Sequence, residues 1–207
     1  MQRILLLHCS PYGRQSRGSV LALELVERLR LRHPDVQLLE RDLASEPLPA
    51  PHADYATALV ARAPNDEPAL GLSEQLIDEL ERSDCLVIAT PMHNFTVPAT
   101  LKSWIDYVLR IGRSFANTEA GKVGLLADRP TFVVVSSGGV YRGEQARQPD
   151  FLTPYLRHVL STIGIHDLEF VHLQGLVRGQ EHAQAMLAQA REQLALNPHL
   201  IAQETLS

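Results

Sequence analysis

The strongest constraint in this sequence is its alternation of short, wholly apolar runs with longer stretches that are apolar on one side only. Residues 4–7 and 85–89 are continuous apolar runs, the pattern of strands covered on both faces. Residues 131–135 are β-branched and aromatic, and residues 36–39 and 168–173 complete a set of five predicted strands. Between them the period changes to that of a helix. Leu21, Leu25, Val26 and Leu29 share a face opposite Glu24, Glu27, Arg28 and Arg30, and Pro34 stops the run. Leu76, Ile77 and Leu80 follow Ser73, read as an N-cap. Leu101, Trp104, Ile105 and Val108 follow Pro98, read as a first helical residue. Thr153-Pro154 opens another helix that Gly164 closes, and residues 180–196 form the last. Strand and helix in strict alternation with right-handed crossovers imply an α/β, doubly wound parallel sheet with helices on both faces.

Composition narrows the function classes. A chain of 207 residues with 45% hydrophobic and 21% charged residues suits one domain, 1–207, with a buried core. A formal charge of -5 supplies no basic field for a phosphate backbone, so no nucleic-acid partner is expected. The apolar run before His8 is too short for a signal-peptide core or a membrane span, so a cytoplasmic protein with no membrane partner is expected. Cys9 and Cys85 form no paired motif and adjoin buried runs, so they read as reduced core thiols. No metal site is expected: His166, Glu169 and His172 are close in sequence, but on a strand Glu169 points away from both histidines. No serine stands in a Gly-x-Ser-x-Gly elbow, which removes that class of hydrolase. Residues 44–71 read as a proline-punctuated excursion with a short helical stretch at 52–63, and residues 112–129 as irregular.

In a doubly wound sheet the functional loops lie at the carboxyl ends of the strands. Three loops there carry suitable chemistry. In residues 10–19, Ser10, Ser16, Arg14, Arg17 and Gly18 precede a helix whose first N–H groups are unpaired and whose dipole favours an anion, which makes a phosphate cradle. The loop is neither a Walker A motif nor GxGxxG, which disfavours a nucleoside triphosphate or a Rossmann-bound dinucleotide. In residues 90–97, Met92, His93, Asn94 and Phe95 lie between two prolines, able to offer amides to a flat polar ring and an apolar cover to its face. Ser136, Ser137, Gly138 and Gly139 let the backbone approach a ligand closely, with consecutive amides to meet negative charge.

Together these loops resemble those of the FMN-dependent NADH:quinone oxidoreductases, also called FMN-dependent azoreductases, of the flavodoxin-like fold. The carrying residues are the Ser10-Pro11 loop with Ser16, the segment from Pro91 through Phe95 into Pro98 and residues 99–106, Phe115 with Thr118-Glu119, Ser136 to Gly139, and Thr153-Pro154-Tyr155 with Gly164-Ile165. The resemblance implies a five-stranded parallel sheet of order 2-1-3-4-5. It also implies FMN as cofactor, with Ser10, Ser16, Arg17 and Gly18 at its phosphate, Met92, His93, Asn94 and Phe95 along the isoalloxazine, and Ser136, Ser137, Gly138 and Gly139 at the pyrimidine side. It further implies a two-step exchange in which NADH or NADPH delivers hydride and a quinone or azo compound removes it, with no side chain as catalytic acid or base. A homodimer with each site at the subunit interface follows from the same resemblance, with Phe115, Tyr141 and the stretch 52–63 as pocket wall.

Three departures stand out. Gly18 replaces a serine common in relatives, so that an amide or Ser19 must serve in its place; His93 stands where tyrosine is common, and Tyr141 where some relatives carry histidine. The alternative reading is a flavodoxin-type electron carrier without a nicotinamide site, against which stand the mild charge and the long excursion. A binding protein that keeps the shell without turnover is the third.

Overall fold

The apolar runs become the middle of a single parallel sheet in the computed structural model, which describes residues 1–201. The strands in chain order are β1 (Arg3–His8), β2 (Gln37–Asp42), β3 (Cys85–Pro91), β4 (Phe115–Thr118), β5 (Gly121–Gly124), β6 (Thr131–Ser136) and β7 (Leu168–Leu173). Five of them pair in the order β2-β1-β3-β6-β7, every neighbour parallel, which is the expected 2-1-3-4-5 once the β4-β5 hairpin is set aside. The helices are α1 (Arg17–Arg32), α2 (Ala53–Val60), α3 (Gly71–Glu81), α4 (Ala99–Val108), α5 (Leu152–Thr162) and α6 (Gln180–Ala195).

Alternation along each strand divides the core between two faces. Ile4, Leu6, Val87 and Val134 meet Leu21, Leu25 and Leu29 of α1 and Ala190 and Leu194 of α6. Leu5, Leu7, Leu86, Ile88, Val133 and Val135 meet Leu76, Ile77 and Leu80 of α3, Leu101, Trp104 and Ile105 of α4, and Leu156 and Leu160 of α5. Burying a leucine or valine of this kind fully is worth about 1.5–3 kcal/mol, so the central strands need no further support from their sequence. Among the described residues no helix is long and apolar enough to cross a membrane.

The structure corrects several local expectations. Ser73 is no N-cap: α3 starts at Gly71, and the buried Ser73 hydroxyl donates to the Tyr107 carbonyl at 2.6 Å while Arg110 donates to it at 3.2 Å. Pro98 is the N-cap residue of α4 rather than its first turn. Thr153 lies inside α5, and the side chain that caps that helix is Asp150, which accepts from the N–H groups of Leu152 at 3.1 Å and Thr153 at 2.8 Å. Residues 112–129 are not wholly irregular. They carry the antiparallel β4-β5 hairpin, whose Gly124 lies so close to Gly164 that an added Cβ would stand 2.1 Å from the Gly164 nitrogen.

Candidate functional site

The parallel sheet ends its central strands side by side, and the loops leaving β1, β3 and β6 converge there as expected. They enclose a cavity of about 230 Å³. Ser10, Ser16 and Arg17 line one end, Met92 and His93 the middle, and Ser136, Ser137 and Gly138 the far side.

The first loop is built around a helix start. Gly13, at φ +51°, turns the chain where a Cβ would stand 2.9 Å from a carboxylate oxygen of Asp42, so only glycine suits. Ser16 then caps α1, its hydroxyl accepting from the Ser19 N–H at 3.1 Å. Arg17 and Gly18 are the first two residues of the helix, so their N–H groups have no intrahelical partner and point outward at its positive end. A Cβ at Gly18 would meet Ser136 Oγ at an ordinary 3.5 Å, so the position is roomy, and the group Gly18 presents at the helix start is its amide. Ser19 does not substitute for a missing hydroxyl: it is fully buried, turned inward to His8 at 2.8 Å.

The second loop owes its shape to a tight turn. His93 and Thr96 exchange backbone hydrogen bonds of 2.9 and 3.0 Å, and the two residues between them, Asn94 and Phe95, both have positive φ, +46° and +74°. That is the geometry of a type I′ turn. Asparagine accepts it readily. A phenylalanine does not, at a cost of about 1–3 kcal/mol for such a strained residue. The turn holds Phe95 44% exposed, and the Phe95 carbonyl accepts from the N–H of Phe151, itself 59% exposed. Two exposed aromatic residues therefore flank the loop. Met92 is tied inward through its N–H to the Ser136 carbonyl at 2.8 Å.

The third loop is braced by the segment after β7. The Ser137 N–H donates to the Leu173 carbonyl, the Leu176 N–H to the Ser137 carbonyl, and the Gly175 N–H to the Gly139 carbonyl, at 2.8, 3.1 and 2.9 Å. Leu176 thereby reaches the cavity wall. Gly139 does not line the cavity directly. The carboxamide of Gln148 lies across it, donating weakly to Met92 Sδ and Ser137 Oγ, both at 3.5 Å, and a Cβ at position 139 would stand 2.5 Å from its oxygen. Leu176 and Gln148 are the site residues that sequence reading misses. Leu176 follows a fifth strand end at the same sheet edge and is recoverable by that rule; Gln148 carries no signal.

Three other expected wall elements do not line this cavity within one chain. The Tyr141 side chain is buried, its hydroxyl 2.7 Å from Nδ1 of His172; burial pushes the phenol up and the imidazole down to about 4. Phe115 is buried at the start of β4 beneath Lys122, whose Nζ is 5.1 Å from the ring centroid. Residues of α2 and the hairpin enclose a separate cavity of about 380 Å³ beside Arg110. Cys9 and Cys85 are buried free thiols, as expected, and burial pushes both up, Cys85 to about 12.

The arrangement suits one shape of ligand. Unpaired amides stand beside the Ser10 and Ser16 hydroxyls at the α1 end and suit an anion, Pro11, Met92, Pro91 and Leu176 offer apolar surface, and the Gly138 backbone faces the far side. A flat ring joined to a phosphate fits that order of groups, so the residues present fit a flavin mononucleotide.

Comparison with known proteins agrees. A family model described as Flavodoxin-like fold matches residues 2–196. FMN-dependent NADH:quinone oxidoreductase 4 of Pseudomonas fluorescens is 60% identical over 198 residues, which is 96% of each chain. FMN-dependent NADH:quinone oxidoreductase 5 of Burkholderia lata is 52% identical over 94% of this chain and 100% of its own. The crystal structure of an azoreductase from Bacillus anthracis superposes with a TM-score of 0.82 at 24% identity, covering 94% of this chain and 97% of that one. At that identity it speaks to the fold.

Proposed function

The chain belongs to the FMN-dependent NADH:quinone oxidoreductases of the flavodoxin-like fold, and from that premise we propose that it oxidises NADH and reduces quinones and azo compounds in two successive half-reactions at one crevice. The observation that carries this reading is the order of groups along the crevice, anion donors, then apolar and amide surface, then a close-approach backbone, set on the loops of β1, β3 and β6.

FMN, when bound, would supply the two-electron redox chemistry between nicotinamide and acceptor. This chain's residues do the rest. The amides of Arg17 and Gly18, with the hydroxyls of Ser10 and Ser16, hold the phosphate. Met92 and His93 support the ring system, with the Asn94-Phe95 turn holding His93 in place, and the Ser136, Ser137 and Gly138 backbone meets its pyrimidine side, where amides stabilise negative charge. Gln148 fixes the third loop by bridging Met92 and Ser137.

The working unit in this reading is a cytoplasmic homodimer. A cavity of about 230 Å³ in one chain is smaller than the roughly 300–1,000 Å³ typical of ligand sites. Tyr12 on its rim is 79% exposed, and Phe95 and Phe151 stand exposed beside it. A second copy would cover them, and its residues 52–63, mostly exposed, would complete the wall. Steady-state kinetics with NADH and a benzoquinone test the function: parallel double-reciprocal lines, with turnover lost on stripping the flavin and restored by FMN, support it, and intersecting lines, or turnover by the flavin-stripped protein, reject it.

A further inference from the structure

Behind the anion donors a line of polar side chains runs inward from Ser16, the cap of α1 at the cavity edge. Ser16 Oγ stands 2.9 Å from Ser19 Oγ, Ser19 Oγ 2.8 Å from Nδ1 of His8, and Nε2 of His8 3.1 Å from Oε1 of Glu40. His8 and Ser19 are fully buried, so no solvent exchanges for these contacts. The Glu40 carboxylate only accepts, which favours a proton on Nε2, although the approach is off the N–H line and Nε2 has no aligned hydrogen bond. Nδ1 of the neutral ring is then an acceptor. Ser19 gives it its only proton, and Ser16 gives its own to Ser19. Every hydroxyl proton in the line points away from the site where an anion would sit.

One added proton reverses the line. With both ring nitrogens protonated, Nδ1 donates to Ser19, Ser19 donates to Ser16, and the Ser16 O–H is released toward the cavity. We infer that His8 is a positioning residue of the anion cradle that takes up a proton when a phosphate monoester binds, so that Ser16 becomes a donor to the ligand. This rests on the reading above, in which the cradle holds the FMN phosphate.

The groups around His8 agree with a ring poised to change state. From β2, Glu40 and Asp42 face it, Asp42 being its register partner; from the turn before α1 comes Arg14, 3.3 Å from Glu40. The α1 contact is Ser19 and the β3 register partner is Ala89, neither of them charged. Burial outweighs the two carboxylates and holds the imidazole below its ordinary value, so the ring is neutral at neutral pH without ligand. An arriving dianion adds negative charge and moves it back up. A group whose pKa rises on binding makes binding stronger as pH falls.

Calorimetric titration of the flavin-free protein with FMN near pH 7.5, in two buffers of unlike ionisation enthalpy, counts the protons taken up. The second pKa of a phosphate monoester is about 6, so the free ligand is almost wholly dianionic there and adds little to the count. Expected are a net uptake, an affinity that tightens roughly threefold or more between about pH 8 and 7 and no such trend for riboflavin, which lacks the phosphate. His8→Asn, whose carboxamide oxygen accepts from Ser19 but takes no proton, should abolish the uptake. A wild-type count near zero, an equal trend with riboflavin, or an unchanged count in His8→Asn overturns the inference. Should His8→Asn fail to fold, the wild-type count and the riboflavin comparison decide alone. Absence of saturable FMN binding at every pH rejects the cofactor reading itself, which is a different outcome from binding without proton uptake.

Discussion

Replacing Arg17 with proline separates a backbone contact from a side-chain one at the phosphate end of the crevice. Arg17 is the first residue of α1, its side chain is exposed, and Ser16 before it has φ -63° and ψ 147°. That extended conformation is the one a residue preceding proline prefers, and the first helical position is where proline is best tolerated. The substitution thus deletes one unpaired N–H without disturbing the helix. Arg17→Ala is the reference, since it removes only the guanidinium. A hydrogen bond from an amide to a charged group is worth about 1.5–3 kcal/mol, which converts to roughly ten- to hundredfold in Kd. Arg17→Pro should therefore bind FMN at least about tenfold more weakly than Arg17→Ala, by quenching of flavin fluorescence. Its flavin-free form should melt no lower, because proline also restricts the unfolded chain, by about 0.4–1 kcal/mol. Equal affinities for the two variants, with both folded, would show that the Arg17 amide does not touch the phosphate.

Other positions give independent checks. Phe95→Gly relieves a non-glycine residue at φ +74° and should raise flavin-free stability by about 1 kcal/mol in urea while weakening ring binding; a loss of stability would show that the turn is not strained. Gly164→Ala places a Cβ 2.5 Å from the Leu126 carbonyl at φ +103°, and a loss of about 2–4 kcal/mol is expected, so a neutral result would contradict the packing of the hairpin on the end of α5. Arg113 bonds Glu74, Asp78 and Glu81. Its hydrogen bond holds Glu81 below the usual value; at Glu74 burial opposes, but the bonds from Arg110 and Arg113 outweigh it. Depressed carboxylates contribute stability that is present above their unfolded value, 4.5, and is lost as pH falls through the folded one. Arg113→Ala should be less stable by about 1–2 kcal/mol at neutral pH, discounted for partial exposure, and the two unfolding curves should converge in acid; a gap constant with pH would exclude this origin.

The strands were legible because a strand covered on both faces must be apolar throughout, as residues 4–7 and 85–89 are. The pairing with β1 carries β2 on through Asp42, past the apolar stretch, because register with a neighbour extends a strand that its own side chains would end earlier. The β4-β5 hairpin was illegible: each strand has four residues, mostly exposed, and what anchors it is the backbone contact between Gly124 and Gly164, forty residues apart in sequence. The capping of α5 by Asp150 rather than Thr153 depends on where the preceding loop arrives, which local propensity does not encode. At the site, the loops after β1, β3 and β6 followed from topology alone. The turn at Asn94-Phe95 did not, since a phenylalanine at positive φ runs against its own preference. Tyr141 and Phe115 were placed by resemblance, and their side chains pack inward within one chain.

The central claim is that the crevice formed by the β1, β3 and β6 loops holds an FMN that NADH reduces and a quinone reoxidises. Its most direct test is the visible spectrum of the FMN-loaded, desalted protein under anaerobic conditions, before and after one equivalent of NADH and then one of benzoquinone. Retained yellow that bleaches with NADH and returns with the quinone is expected. Yellow that persists after NADH would contradict it and favour a carrier that receives its electrons from a protein partner.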